Sequence, residues 1–120
     1  MGYRIYLADP VTGKTLDAGY NHHMTGATYV VGGTSELWLS ITYNYAKFYY
    51  RPDVFGESGI RTIYGMSGID SIPVLQKAIS ALKDDADPDY WKPTEGNAKK
   101  ALYSLLAMAK IRPDGVWKGD

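Results

Sequence analysis

Apolar and polar positions alternate along the first half of the chain with the period of two that is typical of β-strands. The clearest case is LWLSITY at residues 37–43, whose odd-numbered positions are all apolar or aromatic. This segment predicts a strand that lies centrally in a sheet, with one face against helices. Residues 3–8 (YRIYLA) are rich in strand formers and, across a turn containing Pro and Gly, predict a hairpin with residues 15–17. Residues 28–31 predict one further short strand.

The second half of the chain has the three-to-four-residue spacing of amphipathic helices. One helix is predicted to begin at a cap on Asp70 or Ser71, to hold Pro73 in its first turn and to end at Lys83. Its buried face is predicted to consist of Ile72, Leu75, Ile79 and Leu82.

A second helix is predicted from Glu95 to Lys110, with Thr94 as its N-cap and Arg112-Pro113 ending it. Residues 44–56 are aromatic and irregular and predict a loop or a short helix. Together these patterns predict an α+β fold, in which an N-terminal antiparallel sheet of about four strands has two main C-terminal helices packed on one face.

Length and composition limit the class of protein. The 120 residues are sized for one domain, residues 1–120. Lys plus Arg and Asp plus Glu both number 13, and this zero net charge disfavours binding to extended nucleic acid. The sequence has no cysteine, no signal-type segment in residues 1–8 and no apolar run near the roughly 20 residues that span a bilayer. We therefore expect a protein of a reducing cytoplasm with no membrane partner.

The stretch WKPTEGNAKKAL, residues 91–102, is the first candidate site. The first backbone N–H groups of a helix have no partner within the helix, and the helix dipole favours negative charge there, so this start could hold a phosphate. The alternative is an ordinary capped helix, in which Glu95 repels an anion. The candidate ligand-binding residues of this stretch are Trp91, Thr94, Gly96, Asn97, Lys99 and Lys100.

The second candidate site is an aromatic segment interleaved with cations. Tyrosine rings can stack on a base while Arg or Lys pairs with phosphate, which is the usual chemistry of nucleotide capture without catalysis. The alternative is that the tyrosines pack in the core and the cations are solvated. The candidate residues are Tyr45, Lys47, Tyr49 and Arg51, with Arg61 at the end of the same cation-rich region.

No pattern in the sequence points to catalysis, a metal or a cofactor. His22 and His23 are the only histidines, and adjacent side chains on an extended segment point to opposite faces, so they do not readily share a metal ion. We therefore predict a protein that is not an enzyme. Trp117 in the C-terminal tail is expected to dock on its own domain or on a second subunit, and the latter would make the protein a homo-oligomer with pockets at the interface.

Several stretches together resemble a family of small phage- and prophage-encoded proteins: HMTGATY, ELWLSITYNY, GIRTIYG, DYWKPTEGNAKKAL and RPDGVWKGD. The resemblance runs from Tyr3 to Asp120. It implies a phage accessory protein in the host cytoplasm, and such proteins often counter host defence. The expected function is non-enzymatic sequestration of a small nucleotide immune signal. The alternatives are inhibition of a host defence protein or CRISPR effector by protein–protein contact, and an enzyme that acts on a nucleotide.

Overall fold

A computed structural model describes residues 2–120. The described chain begins with four strands, continues through short helical turns to two long helices and ends with a fifth strand. In chain order the elements are β1 (Gly2–Ala8), β2 (Asp17–His22), β3 (Thr34–Glu36), β4 (Trp38–Thr42), a 3₁₀ turn (Tyr43–Tyr45), α1 (Ala46–Tyr49), a second 3₁₀ turn (Gly59–Ile63), α2 (Gly68–Ser80), α3 (Glu95–Ile111) and β5 (Val116–Gly119).

The main sheet has three antiparallel strands in the order β4-β1-β5, and β2 pairs with β3 in a separate antiparallel pair. Tyr3 is opposite Ile41, and Leu7 is opposite Trp117. The central strand is therefore β1, and the prediction that residues 37–43 lie centrally is wrong. The C-terminal tail, which carried no strong strand pattern, supplies β5. Residues 28–31, predicted to be a strand, form none.

Only one of the two long helices begins where the sequence predicts. Thr94 caps α3, because its side chain accepts a hydrogen bond from the Asn97 backbone nitrogen at 3.0 Å. The N-cap of α2 is Ser67, which accepts from the backbone nitrogen of Asp70 at 3.1 Å, so the predicted caps at Asp70 and Ser71 are corrected. The earlier start puts Pro73 in the second turn, where it is exposed to water.

One contiguous core lies between the main sheet and the two long helices, which gives the α+β class that the patterns predict. Alternate residues of β1, namely Tyr3, Ile5 and Leu7, are buried in it. Trp117 of β5 is fully buried, and its indole nitrogen donates to the Ser71 hydroxyl at 2.7 Å. The tail therefore docks on its own domain, and Trp117 is not available to a second subunit.

Candidate functional site

The N-terminus of α3 already holds a carboxylate of the chain itself. The backbone nitrogen of Gly96 donates to a carboxylate oxygen of Asp85 at 3.0 Å. A side chain on Gly96 would place its Cβ 2.6 Å from the backbone carbonyl carbon of Asp85, so the two segments are in close contact. The predicted anion site is thus occupied by the acidic loop before the helix, residues 84–89 (DDADPD), and an external phosphate has no access to Gly96 there.

Asn97, another predicted ligand residue, fixes the path of that loop. Its buried side chain accepts from the backbone nitrogen of Asp87 at 2.8 Å and donates to the carbonyls of Asp89 at 2.9 Å and Lys92 at 3.1 Å. Because these bonds use both donor hydrogens and the acceptor of the amide, Asn97 forms part of the wall and offers little polar capacity to a ligand.

Two of the predicted phosphate-binding cations have carboxylate partners within the chain. Arg51 forms ion pairs with Asp53 and Glu95, each at 2.6 Å, and its hydrogen bonds to these carboxylates raise the pKa of the guanidinium. Lys99 pairs with Asp84 at 2.7 Å and donates to a backbone carbonyl. Both cations therefore have carboxylate partners within the fold, and their assignment to a phosphate stays a prediction.

Tyr45 and Tyr49 lie in the core and cannot stack on a base, so the prediction that their rings bind a base is corrected. Both rings are fully buried, and burial raises the pKa of each phenol. The Tyr45 hydroxyl donates to the carbonyl of Tyr90, and the Tyr49 hydroxyl donates to the carbonyl of Ala98 at 2.9 Å. Both rings point inward because residues 43–49 are helical and not extended. In a helix, side chains four residues apart lie on the same face, which here is the buried one.

The remaining predicted cations have their contacts elsewhere than at the start of α3. Lys47 is exposed, with its ammonium nitrogen 5.2 Å from the ring centre of Phe48. Arg61 lies over the ring of Tyr3 at 4.9 Å, and its Nε donates to the backbone oxygen of Asp120 at 2.8 Å. The sequence-predicted residues therefore do not form one site.

Three of the predicted residues nevertheless meet at a cleft between α3 and the loop that precedes it. We call it the Lys100 cleft; its volume is about 280 Å³, and its lining consists of Gly26, Tyr45, Asp87, Pro88, Tyr90, Asn97, Lys100, Ala101 and Ser104. Lys100 is exposed and, within residues 2–120, forms no ion pair or hydrogen bond of its side chain. It is the only cation of this lining.

A second cleft lies next to the first, since some of the residues that line it are chain neighbours of residues that line the Lys100 cleft. Its volume is about 270 Å³, and its lining consists of Gly2, Ala27, Thr28, Ser40, Thr42 and Trp91. Trp91, a predicted ligand residue, is half exposed there, with its ring edge-on to that of Tyr90 at 5.1 Å. No residue of this lining is charged.

Tyr90 joins the loop to the sheet and so shapes both clefts. Its hydroxyl accepts from the backbone nitrogen of Thr42 and donates to the carbonyl of Ser40, both at 3.1 Å. Ser40 also bonds to the backbone of Thr25 and Ala27. The outer edge of β4 is thereby paired, which protects it from association with other strands and gives the clefts fixed walls.

Sequence reasoning missed most residues of the Lys100 cleft. Asp87 and Pro88 lie in an acidic stretch with the character of a solvated loop, and Gly26 is distant along the chain. Only one signal was available: Lys100 and Ser104 are four residues apart and therefore share a helix face with Asn97, three residues before Lys100.

The histidines have structural environments. His22 is buried, with Nδ1 accepting from the backbone nitrogen of Met24 at 3.0 Å and Nε2 bonded to the carbonyl of Glu36 at 2.7 Å. Among residues 2–120, no three His, Cys, Asp or Glu side chains come together as a metal ion would need. In the same residues, no helix has the length and apolar character that a bilayer crossing requires.

Comparisons with models of protein families, with curated proteins and with solved structures found no match. The fold and the two clefts are therefore the basis for a functional assignment.

Proposed function

We propose that this chain is a phage accessory protein that counters host defence in the bacterial cytoplasm by sequestering a small nucleotide-type immune signal, without catalysis. The observation that supports this proposal is the Lys100 cleft, in which the predicted residue Lys100 is exposed while the buried Tyr45 and Asn97 form part of the wall. The biological setting rests on the resemblance to phage-encoded proteins.

The chemistry of the cleft suits an anionic, partly aromatic ligand. Lys100 supplies an ammonium group that has no carboxylate partner within residues 2–120, and a phosphate is the anion that such a point charge commonly binds. Pro88 and the ring of Tyr90 supply apolar surface beside it. In keeping with the prediction from the sequence, we expect binding without turnover.

Calorimetry and thermal unfolding with cyclic dinucleotides, cyclic trinucleotides, linear nucleotides and ADP-ribose derivatives test the proposal. A ligand that binds only the folded state raises the melting temperature with its concentration. We expect at least one compound to do so, to lose affinity in Lys100→Ala and to be recovered unchanged. Lys110→Ala, which removes an exposed lysine at the far end of α3, is the matched control. No binding by any compound would refute sequestration.

The second candidate function is inhibition of a host defence protein or CRISPR effector by direct contact. It is favoured by Tyr29 and Val31, which are 82% and 85% exposed in the segment between β2 and β3. Exposed aromatic and apolar side chains are typical of binding surfaces. Capture of a host protein that is lost in a Tyr29→Ser/Val31→Ser variant but kept in Tyr103→Ser, another exposed aromatic, would favour this function.

A homo-oligomer belongs to the same proposal, but Trp117 is buried in its own domain, so a subunit interface would have to use another surface. Sedimentation equilibrium over a wide range of protein concentration measures the oligomeric state. A monomer at all concentrations would remove this part of the proposal and leave ligand binding in the single chain to be tested separately.

A further inference from the structure

The charges of the Lys100 cleft limit which nucleotide it can take. The other lysines and arginines near the cleft have carboxylate partners: Arg51 pairs with Asp53 and Glu95, Lys99 with Asp84, and Lys92 with Asp87. One free ammonium in the lining can contact one phosphate group. A ligand with two or three separate phosphodiesters would place at least one phosphate where the lining has no cation, which is costly to desolvate.

The cleft also contains a carboxylate, and this makes its two polar ends chemically different. The Oδ1 atom of Asp87 accepts a hydrogen bond from the backbone nitrogen of Asp89. Its Oδ2 atom lies 3.3 Å from the ammonium nitrogen of Lys92. The side chain of Lys92 is 59% exposed, so this ion pair is weak and Oδ2 keeps acceptor capacity. An ionised carboxylate repels phosphate. It accepts hydrogen bonds from groups such as sugar hydroxyls or an exocyclic amine.

The hydrogen bond of Asn97 and the spacing of residues on α3 give the order of the polar groups along the cleft. Asn97 bonds to the backbone of Asp87, so Asp87 lies by the first turns of α3. Lys100 is about one turn further along the same face, and Ser104 one turn beyond that. From Asn97 to Ser104 the helix rises about 10 Å. With a volume of about 280 Å³, the cleft is at the small end of ligand pockets.

We propose, on the basis of the proposed function, that the ligand of the Lys100 cleft is a nucleoside monophosphate with free ribose hydroxyls. Lys100 and the Ser104 hydroxyl bind its phosphate, and the Asp87 carboxylate accepts hydrogen bonds from the ribose. Pro88 and Tyr90 contact the apolar faces of the ligand. The same chemistry excludes cyclic dinucleotides and trinucleotides as the preferred ligands.

Isothermal titration calorimetry with the full chain tests the assignment. The probes are AMP, GMP, CMP and UMP, the 2′,3′-dideoxy form of the best binder, its unphosphorylated nucleoside, ribose 5-phosphate and cyclic di-AMP. We expect one ribonucleoside monophosphate to bind at least about tenfold more tightly than its dideoxy form, its nucleoside and cyclic di-AMP, since each of these analogues removes or misplaces a charge-assisted hydrogen bond. Equal binding of ribose 5-phosphate would assign the site to sugar phosphates and overturn the nucleoside part of the proposal.

Two variants with matched controls link the affinity to named side chains. Asp87→Asn should weaken the ribonucleotide about tenfold and leave the dideoxy form unchanged, whereas Glu57→Gln, an exposed acidic residue elsewhere, should change neither. Lys100→Ala should weaken the monophosphate and not the nucleoside, with Lys110→Ala as control. Circular dichroism checks that each variant is folded.

The outcomes separate this inference from the function on which it rests. Tight binding of cyclic di-AMP with weak binding of every monophosphate would overturn the ligand class and leave sequestration standing. No binding of any nucleotide, to a chain that unfolds cooperatively, would overturn both.

Discussion

The carboxylate of Asp85 lies 3.0 Å from the backbone nitrogen of Gly96, so the positive end of the α3 dipole is neutralised by a residue of the chain itself. The pair also docks the acidic loop on the helix and so sets one wall of the Lys100 cleft. The helix N-terminus, which is typical of phosphate-binding sites, here stabilises the fold. The candidate ligand site lies one to two turns further along the helix.

Replacing Asp85 by Ala should lower the free energy of unfolding by about 1 kcal/mol, since a helix start loses an acceptor and a favourable charge. Urea unfolding measures the change, with Glu57→Ala as control. Sulfate should then stabilise the variant more than the wild type, because the vacated N–H group can donate a hydrogen bond to an external anion. Equal sulfate dependence of the two proteins would contradict this role for Asp85.

Gly96→Ala should destabilise the protein, although Ala is intrinsically the better helix former by about 1 kcal/mol. The added Cβ would lie 2.6 Å from the carbonyl carbon of Asp85 and would also meet the backbone of Ala86, so the loop must move away. We expect a loss of about 1–3 kcal/mol in urea unfolding and faster amide exchange in residues 84–92. A stabilised variant would show that the loop does not pack on Gly96.

Ser71 and Ser80 provide a matched pair in α2. Each hydroxyl donates to the carbonyl three residues earlier at 2.8 Å, but only Ser71 also accepts from the buried indole of Trp117. Ser71→Ala leaves that N–H without a partner and should cost about 1–3 kcal/mol. Ser80→Ala should change the free energy of unfolding by less than about 0.5 kcal/mol. Equal effects in thermal or urea unfolding would argue against the docking of β5 on α2.

Alkaline pH should unfold the protein through its buried phenols. Burial raises the pKa of Tyr3 and of Tyr64 to about 12, and it raises the pKa of Tyr49 as well. Because the folded pKa exceeds the unfolded value of about 10, the stabilisation is fully present below pH 10 and is lost as the pH rises through the folded pKa.

The ultraviolet absorbance of tyrosinate measures this effect. At pH 11 the native protein should show fewer ionised tyrosines than the chain in concentrated urea, and the difference should disappear when the fold is lost. The same number of ionised tyrosines in both states at pH 11 would contradict the buried positions of these rings.

Much of the local structure was predictable because its determinants are close together in the sequence. Thr94 caps α3 through an atom only three residues away, and the apolar spacing that follows is enough to predict the helix. The alternation of Leu37, Leu39 and Ile41 likewise predicts a strand with one buried face, and all three are buried. Such signals survive without knowledge of the rest of the fold.

The candidate site was less predictable because the type of a residue does not show which partner its side chain binds in the folded protein. The sequence offers Lys99 and Lys100 as equivalent cations, but folding pairs Lys99 with Asp84 and leaves Lys100 at the cleft. Tyr45 and Tyr49 looked suited to stacking on a base, yet the helical turn that contains them directs both rings inward.

The sequence by itself determined the α+β class, the two long helices and the start of α3, because these depend on local hydrogen bonding and on hydrophobic period. Only the tertiary structure decided that β1 is the central strand, that the tail forms β5 and that Asp85 occupies the helix start. These features depend on contacts between residues distant in the chain, whose energies are set by packing and by competition among several chemically similar partners.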